Sequence, residues 1–311
     1  MTAVFVDAAI SDEERRSGLY SGNIYLYSPS PATLALAELA RAMLEQTFAP
    51  HDPREIHHHQ SAEETAAQLA ILKPAFIHHP ECKKLIPEIM RERGVDPDKL
   101  YFDVPRLRSA YPSHYLSSGI AYAFHPHRDT WYSAPMCQLN WWLPIYPLSP
   151  DNAMGFYPRH WAEPVANNSE IYNYYQWNQK NRASAATHVK QDTREQPKPQ
   201  QAIEGPSVRL LPAPGGMIVF SGAQLHETVA NTTDLARYSI DFRTVHIADV
   251  AAKRGSPNID SRSTGTTMRD YLRASDLAKL PEELIALYDD ESAAEAEILY
   301  FGDRMLDDVK S

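Results

Sequence analysis

Cysteine is nearly missing from this chain: Cys82 and Cys137 are the only two in 311 residues. Two thiols so far apart build neither a dense disulfide framework nor a metal knuckle. Basic side chains are also scarce, 30 Lys and Arg against 40 Asp and Glu, which leaves a formal charge of −10. Such a balance lacks the clustered cations that a phosphate backbone requires, so broad nucleic-acid binding is excluded. Long hydrophobic runs are missing too. The most apolar helical stretch, 32–48, is interrupted by Glu38, Arg41 and Glu45 and cannot span a bilayer. The opening MTAVFVDAAISDEERR has no basic segment leading into an apolar one, so no secretory signal is expected. No fixed-period repeat marks a solenoid. The expectation is a cytoplasmic protein whose partner is a small molecule, with no nucleic acid and no membrane span.

The chain does have the means to build a core, since 43% of its residues are apolar. Its length is about twice a common domain size, yet one large β-rich domain with helical flanks accommodates it. Residues 1–99 read as a helical flank. Thr33 to Phe48 sets Leu36, Leu39, Met43 and Thr47 along one stripe, with Pro31 at its start. Ser61 and Glu64 form a capping-box pattern for a second helix that should stop before Pro74. A third is expected over Pro80 to Glu92, ended by Gly94. From Leu100 to about residue 265 the texture changes to short alternating runs: 102–107, 137–145, 153–157, 207–211, 217–220 and 238–245. Short strands punctuated by Pro and Gly predict a closed or double-sheet antiparallel architecture. The polar, tyrosine-rich segment 159–205 interrupts it as a lid or binding loop. Residues 266–311 return to helical spacing in DLAKLPEELIALYDD and ESAAEAEILYFGDRML.

Thirteen histidines make a single one uninformative, and His57-His58-His59 and His78-His79 read as surface or helix-end residues. One constellation differs. In AFHPHRDTWYSAP, His127 and Asp129 are two apart, and on a strand positions i and i+2 share a face. A third ligand is available in LLPAPGGMIVFSGAQLHET, where His226 follows a buried strand and the Ser221-Gly222 break. Two imidazoles and one carboxylate on a β scaffold are the donor set of non-haem Fe(II) sites, with positions left open for substrate and O₂. Eleven residues past His226, Arg237 opens the strand RYSIDFRTV with Ser239 on the same face, a guanidinium and a hydroxyl suited to a carboxylate. Thr228 adds a hydroxyl two residues after His226.

This pattern resembles the Fe(II)/2-oxoglutarate-dependent dioxygenase superfamily. It is similar to the phytanoyl-CoA dioxygenase-like branch in its helical N-terminal region, the hydroxyl residue two after the distal histidine, and the arginine eleven after it. The resemblance covers roughly Leu100 to His246. It implies a mainly β fold with flanking helices around a double-stranded β-helix (jelly-roll) core, and Fe(II) held by His127, Asp129 and His226. It further implies 2-oxoglutarate as co-substrate, its distal carboxylate on Arg237 with Ser239 or Thr228. With O₂, such an enzyme converts 2-oxoglutarate to succinate and CO₂ and hydroxylates a small or medium-sized molecule. Aromatic side chains such as Tyr122, Trp131, Tyr132, Trp141, Trp142 and Tyr157 suit a site that excludes water.

Other readings of the same residues stand beside this one. His127 and Asp129 could be a solvated His–Asp hydrogen bond, His226 a turn residue, and Arg237 an exposed strand-edge cation. Arg243 shares the face of Arg237 but should lie about 20 Å further along, at ~3.3 Å per residue. Gln138 and Asn140 alternate with Leu139 and Trp141. Pointing inward they would touch 2-oxoglutarate or substrate; pointing outward they are solvated. Trp131, Tyr132 and Trp142 are candidates for a substrate wall. Arg106 and Arg243, with Arg108 and Arg159, are candidates for an anionic substrate, although strand arginines more often form ion pairs. Gly119 and His125-x-His127 resemble half of a cupin metal motif, whose glutamate is missing. A cupin would share the barrel while acting as an isomerase, a 2-oxoglutarate-independent oxygenase or a ligand-binding module. A metal-free jelly roll binding sugar or a small acid is the third reading.

Overall fold

A computed structural model of the chain describes residues 2–113, 115–116, 125–180 and 194–290. The N-terminal third holds β1 (Val4–Val6), α1 (Asp12–Tyr20), β2 (Ile24–Tyr27), α2 (Pro31–Phe48), α3 (Ala62–Ile77) and α4 (Pro80–Glu92). Next come β3 (Leu100–Phe102), β4 (Arg106–Ala110), β5 (Leu139–Pro144), β6 (Met154–Phe156) and α5 (Tyr174–Lys180). The remainder is β7 (Val208–Leu210), β8 (Met217–Ser221), β9 (His226–Thr228), β10 (Arg237–His246), α6 (Ile247–Ala251), β11 (Leu272–Arg273) and α7 (Glu282–Ile285).

The class is mixed helix and strand with one large sheet. Eight strands run β1-β2-β8-β5-β10-β3-β11, with β4 also on β10. β10 is the hub. One edge pairs with β5 over Ser239 to Thr244; the other is shared by β4, along Arg237 to Asp241, and β3, along Thr244 to His246. A smaller sheet, β7-β6-β9, sets Phe156 opposite His226 and Met154 opposite Thr228. Apolar side chains join the two sheets: Trp142, Ile218 and Phe220 from the large one pack with Met154 and Phe156 from the small one.

Strand alternation sorts side chains onto two faces. On β10, Tyr238, Ile240 and Phe242 enter the main core, whereas Arg237, Asp241 and Arg243 line a cavity. β5 repeats the division, with Leu139, Trp141 and Leu143 in the core and Asn140 and Trp142 on the cavity. The core face is covered by α2, α3 and α4, whose Leu36, Leu44, Leu69, Phe76, Ile86 and Met90 share its cluster. Trp141 is its centre. Its ring stacks on Phe242 at 6.0 Å, and its indole N–H donates to Thr244 Oγ1 at 2.8 Å.

The local helix signals account for the starts and stops. Ser61 and Glu64 make the expected reciprocal caps, at 3.2 and 2.8 Å. α4 ends at a left-handed Gly94, φ +70°, as expected of a C-terminal glycine. Several expectations need correction. α3 does not stop before Pro74; it continues to Ile77, because burial of Phe76 outweighs the one backbone bond that proline gives up. The buried face of α2 is centred on Leu36, Ala37, Ala40, Leu44 and Phe48, leaving Leu39, Met43 and Thr47 half-buried at its side. The flank 1–99 is not wholly helical: IYLY forms β2 and pairs with β8, a four-residue run too short to show a period. Residues 268–290 hold a short 3₁₀ helix, Met268–Asp270, and the four-residue α7, with β11 and turns around Pro281 and the left-handed Leu277. The stretch ESAAEAEILYFGDRML lies outside the described residues, as do Tyr122 and Gly119. Among the described residues, no helix is long and apolar enough to cross a membrane.

Trp141→Ala removes the centre of the core and should lower unfolding stability by about 3–5 kcal/mol. An unchanged urea midpoint would contradict this placement.

Candidate metal centre

His127 and His226 are brought together by backbone pairing. Each donates its amide N–H to the other's carbonyl, at 2.9 and 3.0 Å, and their rings lie 4.4 Å apart. Asp129 arrives differently from the strand geometry expected. The extended chain ends at Arg128, and Asp129 opens a short 3₁₀ turn, Asp129–Tyr132, that aims its carboxylate back at both rings. Gly222 makes room for that turn, since a side chain there would meet Gln138 Nε2 at 3.2 Å and Asp129 Cβ at 3.5 Å.

The residue between the two ligands is the anchor. Arg128 is fully buried, and its guanidinium donates to the Ala223 carbonyl at 2.6 Å, the His160 carbonyl at 2.5 Å and Asp260 at 3.0 Å. Asp260 also accepts the Trp131 indole N–H at 2.7 Å and the Val165 amide at 3.0 Å. Nothing in the sequence marked Arg128 or Asp260, because their roles depend on loops distant in the chain.

The three side chains form one of two groups among the described residues able to hold a metal ion. Asp129 Oδ1 is 3.4 Å from His127 Nε2 and 3.8 Å from His226 Nε2. The Nδ1 atoms are engaged elsewhere, at 2.8 Å from the His125 carbonyl and 2.9 Å from the Gln224 carbonyl. Carbonyls only accept, so each Nδ1 carries the proton and each Nε2 offers a lone pair to the centre. The other carboxylate oxygen, Oδ2, accepts the side-chain amides of Gln138 at 2.8 Å and Asn140 at 2.9 Å, with Arg243 Nε at 3.4 Å. Tyr271 fixes Gln138 from behind at 2.8 Å. Burial alone would raise the Asp129 pKa; Arg243 and the two imidazoles reverse that and hold it well below the usual carboxylate range. Burial, helped by neighbouring His127, lowers His226 to about 4, which keeps it in the neutral, metal-binding form. A centre with three donors, their outer atoms hydrogen-bonded and Oδ1 and both Nε2 converging, fits a divalent transition metal.

These donors open onto a cavity of about 250 Å³ between the two sheets. Within its lining Arg237 is buried, its guanidinium 5.4 Å from the Trp142 ring. It donates to Ser239 Oγ at 3.1 Å and reaches Thr228 Oγ1 only at 3.5 Å, and its Nε is buried with no hydrogen-bond partner. Burial pulls its pKa down to about 10. Among the described residues, no carboxylate lies within ion-pair distance of Arg237. Its neighbours differ. Arg108 grips Asp241 through two nitrogens, at 2.6 and 3.3 Å, and Asp103 takes both Arg106 at 2.5 Å and Arg243 at 3.2 Å. Tyr132, Tyr172 and Trp177, also in the lining, form an aromatic wall with ring separations of 5.3 and 5.6 Å, and Tyr132 stands edge-on to His127 at 5.5 Å. Tyr132 donates to the Pro197 carbonyl at 2.9 Å, and Tyr174 to Asp270.

The expected residues therefore separate. His127, Asp129 and His226 converge, and Arg237, Ser239, Thr228, Trp142 and Tyr132 gather around the same cavity. Gln138 and Asn140 point inward, but their amides are spent on Asp129. Trp131 does not line the cavity: it is buried against Tyr157, Val165 and Leu225. Arg106 faces the cavity tied to Asp103, and Arg159 is exposed beside Glu163. Arg243 is not remote from the chemistry. It lies along β10 from Arg237, and that displacement brings it to Asp129. The cupin pairing fails at His125, whose Nε2 meets the Pro197 carbonyl at 2.7 Å. The aromatic wall 172–177 was visible only as tyrosine-rich composition.

No protein-family model matches the chain, and no curated protein matches its sequence. Among solved structures, the chain is similar to EvdO2 from Micromonospora carbonacea var. aurantiaca, complexed with 2-oxoglutarate. The TM-score is 0.37 at 14% identity, over 56% of this chain and 62% of that one. The chain thus spans less than two thirds of EvdO2. It is also similar to the epimerase SnoN in complex with Fe3+, alpha ketoglutarate and nogalamycin RO, with a TM-score of 0.40 and 14% identity over 76% and 85% of the two chains. AviO1 from Streptomyces viridochromogenes Tue57 gives 0.37 and 14%, over 78% and 98%.

Two outcomes follow from the centre. Asp129→Ala combined with His127→Ala should abolish stoichiometric Fe(II) binding measured by equilibrium dialysis, and retained binding would refute the ligand set. Without metal, the buried neutral His226 binds fewer protons folded, with a pKa of about 4, than unfolded, near 6.5. Its contribution is therefore lost as pH falls from 6.5 towards 4. His226→Leu should flatten the stability–pH curve in that window.

Proposed function

We propose that this protein is an Fe(II)- and 2-oxoglutarate-dependent oxygenase with a double-stranded β-helix core over about 100–265, and that it hydroxylates a small organic molecule. The observation that carries the reading is the pairing of two features in one cavity. One is the His127, Asp129 and His226 group with both Nδ1 atoms already satisfied; the other is a buried arginine without a carboxylate. His127 Nε2, His226 Nε2 and Asp129 Oδ1 would hold the ion. Once bound, ferrous iron with O₂ and 2-oxoglutarate supplies the oxidising power, and the co-substrate leaves as succinate and CO₂.

The remaining work belongs to the chain. Gln138, Asn140 and Arg243 occupy Asp129 Oδ2, which favours coordination through Oδ1 alone and leaves more of the ion's positions to other ligands. Arg237 would anchor the far carboxylate of 2-oxoglutarate. It is buried, so a salt bridge there is little screened, and the Ser239 and Thr228 hydroxyls flank its guanidinium. Arg243 is excluded from that role by its engagement with Asp129 and Asp103. The wall of Tyr132, Tyr172 and Trp177 would face the primary substrate and keep water from the reacting centre. The described parts of 159–205 would serve as its cover.

Arg237→Ala should raise the KM for 2-oxoglutarate by roughly tenfold to a hundredfold, the equivalent of ~1.5–3 kcal/mol for a hydrogen-bonded charge, while Fe(II) affinity changes little. The function itself is tested by substrate-stimulated succinate release, with one oxygen atom from labelled O₂ in the product. A protein that binds Fe(II) but releases no succinate with any metabolite tried, and whose 2-oxoglutarate binding is indifferent to Arg237, would sink the reading.

A further inference from the structure

We propose a second divalent-metal site, outside the cavity, formed by His57, His58 and Asp234 and suited to a transition metal such as Zn(II). His57 and His58 close the 3₁₀ turn Pro53–His58, and Asp234 lies in the connection from β9 to β10. Both Nε2 atoms converge on a single oxygen, Asp234 Oδ1, at 3.5 and 3.2 Å, with the rings 4.0 Å apart. As hydrogen bonds these contacts are long, and two rings compete for one atom. As ligand–ligand separations they fit well. A tetrahedral ion at ~2.0–2.1 Å from each donor spaces those donors about 3.3 Å apart.

The donor chemistry agrees. Two imidazoles and one carboxylate favour Zn(II), Ni(II) or Cu(II), where Mg(II) and Ca(II) want oxygen ligands throughout. His57 Nδ1 is buried, so Nε2 is the ring atom able to reach an ion, and burial lowers the ring's pKa towards its neutral, ligating form. Asp234 is 83% exposed and His58 47%, which leaves an open side where water completes the coordination.

The two segments are already docked without an ion. Ala236 N–H donates to the Arg54 carbonyl at 2.7 Å, and just past the connection the Tyr238 hydroxyl donates to the Pro53 carbonyl at 2.9 Å. Zinc would therefore add a cross-link between the 53–58 turn and the strap that runs from Thr228 to Arg237. That strap joins the two strands carrying His226 and Arg237. The inference is independent of the oxygenase reading, because it uses none of the cavity residues.

The test uses full-length protein carrying His127→Ala and Asp129→Ala, so that the cavity centre is silenced. Zinc is titrated in competition with a chromophoric chelator, and thermal unfolding is followed in parallel. One equivalent should bind and raise the unfolding temperature. Adding His58→Ala, or Asp234→Asn at its exposed position, should weaken binding by roughly tenfold or more. His51→Ala with His59→Ala, a neighbouring histidine pair whose rings stack on each other at 3.9 Å, should leave binding unchanged. No bound zinc in the silenced protein, binding that survives both His58→Ala and Asp234→Asn, or loss of binding through the His51 and His59 pair instead would each overturn the assignment.

Discussion

The organising constraint is a carboxylate held out of water. An anion buried as deeply as Asp129 is costly unless positive charge and hydrogen-bond donors surround it, and the neighbourhood is arranged to supply them. Two amides and a guanidinium meet its outer oxygen. That guanidinium, Arg243, is half-buried and also pairs with Asp103, which in turn takes Arg106. The result is a line of alternating charges along one wall, from the centre to the rim of the cavity. Beside it, Arg108 and Asp241 form a second ion pair. Set against these neutralised partners, Arg237 stands out as a cation whose counter-ion is not part of the described protein.

Scaffold and centre are connected through short-range devices more than through long strands. The two imidazoles are joined by a reciprocal backbone bridge, and the carboxylate is delivered by a single turn. Arg128 is what makes that turn dependable. Its buried fork draws carbonyls from two loops and the Asp260 carboxylate onto one point, so three distant stretches of chain agree on where residue 129 sits. The small sheet is thus tied to the loops around it through a side chain that never reaches the cavity.

Much of this was legible in the sequence, for identifiable reasons. The spacings of His226, Arg237, Ser239 and Thr228 singled out residues that line one cavity, because strand alternation and a short strand-to-strand return are local rules; Asp129 joins His127 there through a 3₁₀ turn and not through the strand alternation expected. The Ser61–Glu64 capping box and Gly94 were legible for the same reason. What escaped was set by tertiary partners. IYLY became a strand because β8 offered it an edge, and α3 crossed Pro74 because Phe76 had a core to enter. Trp131 sits beside the triad in sequence yet points the other way, since its indole N–H found Asp260. Arg243 was assigned by distance along a strand from Arg237, whereas the relevant distance was to Asp129.

β10 carries the core on one side and the charged wall on the other within ten consecutive residues. Its pairing offers no neutral intermediate between the two: slipping by a single position would press guanidinium groups into the packed interior and turn Tyr238, Ile240 and Phe242 towards the cavity. Change in this strand is therefore confined to exchanges of like for like on a given side. Lengthening or shortening of the chain, the usual raw material of new specificity, has to be absorbed by the connections at either end.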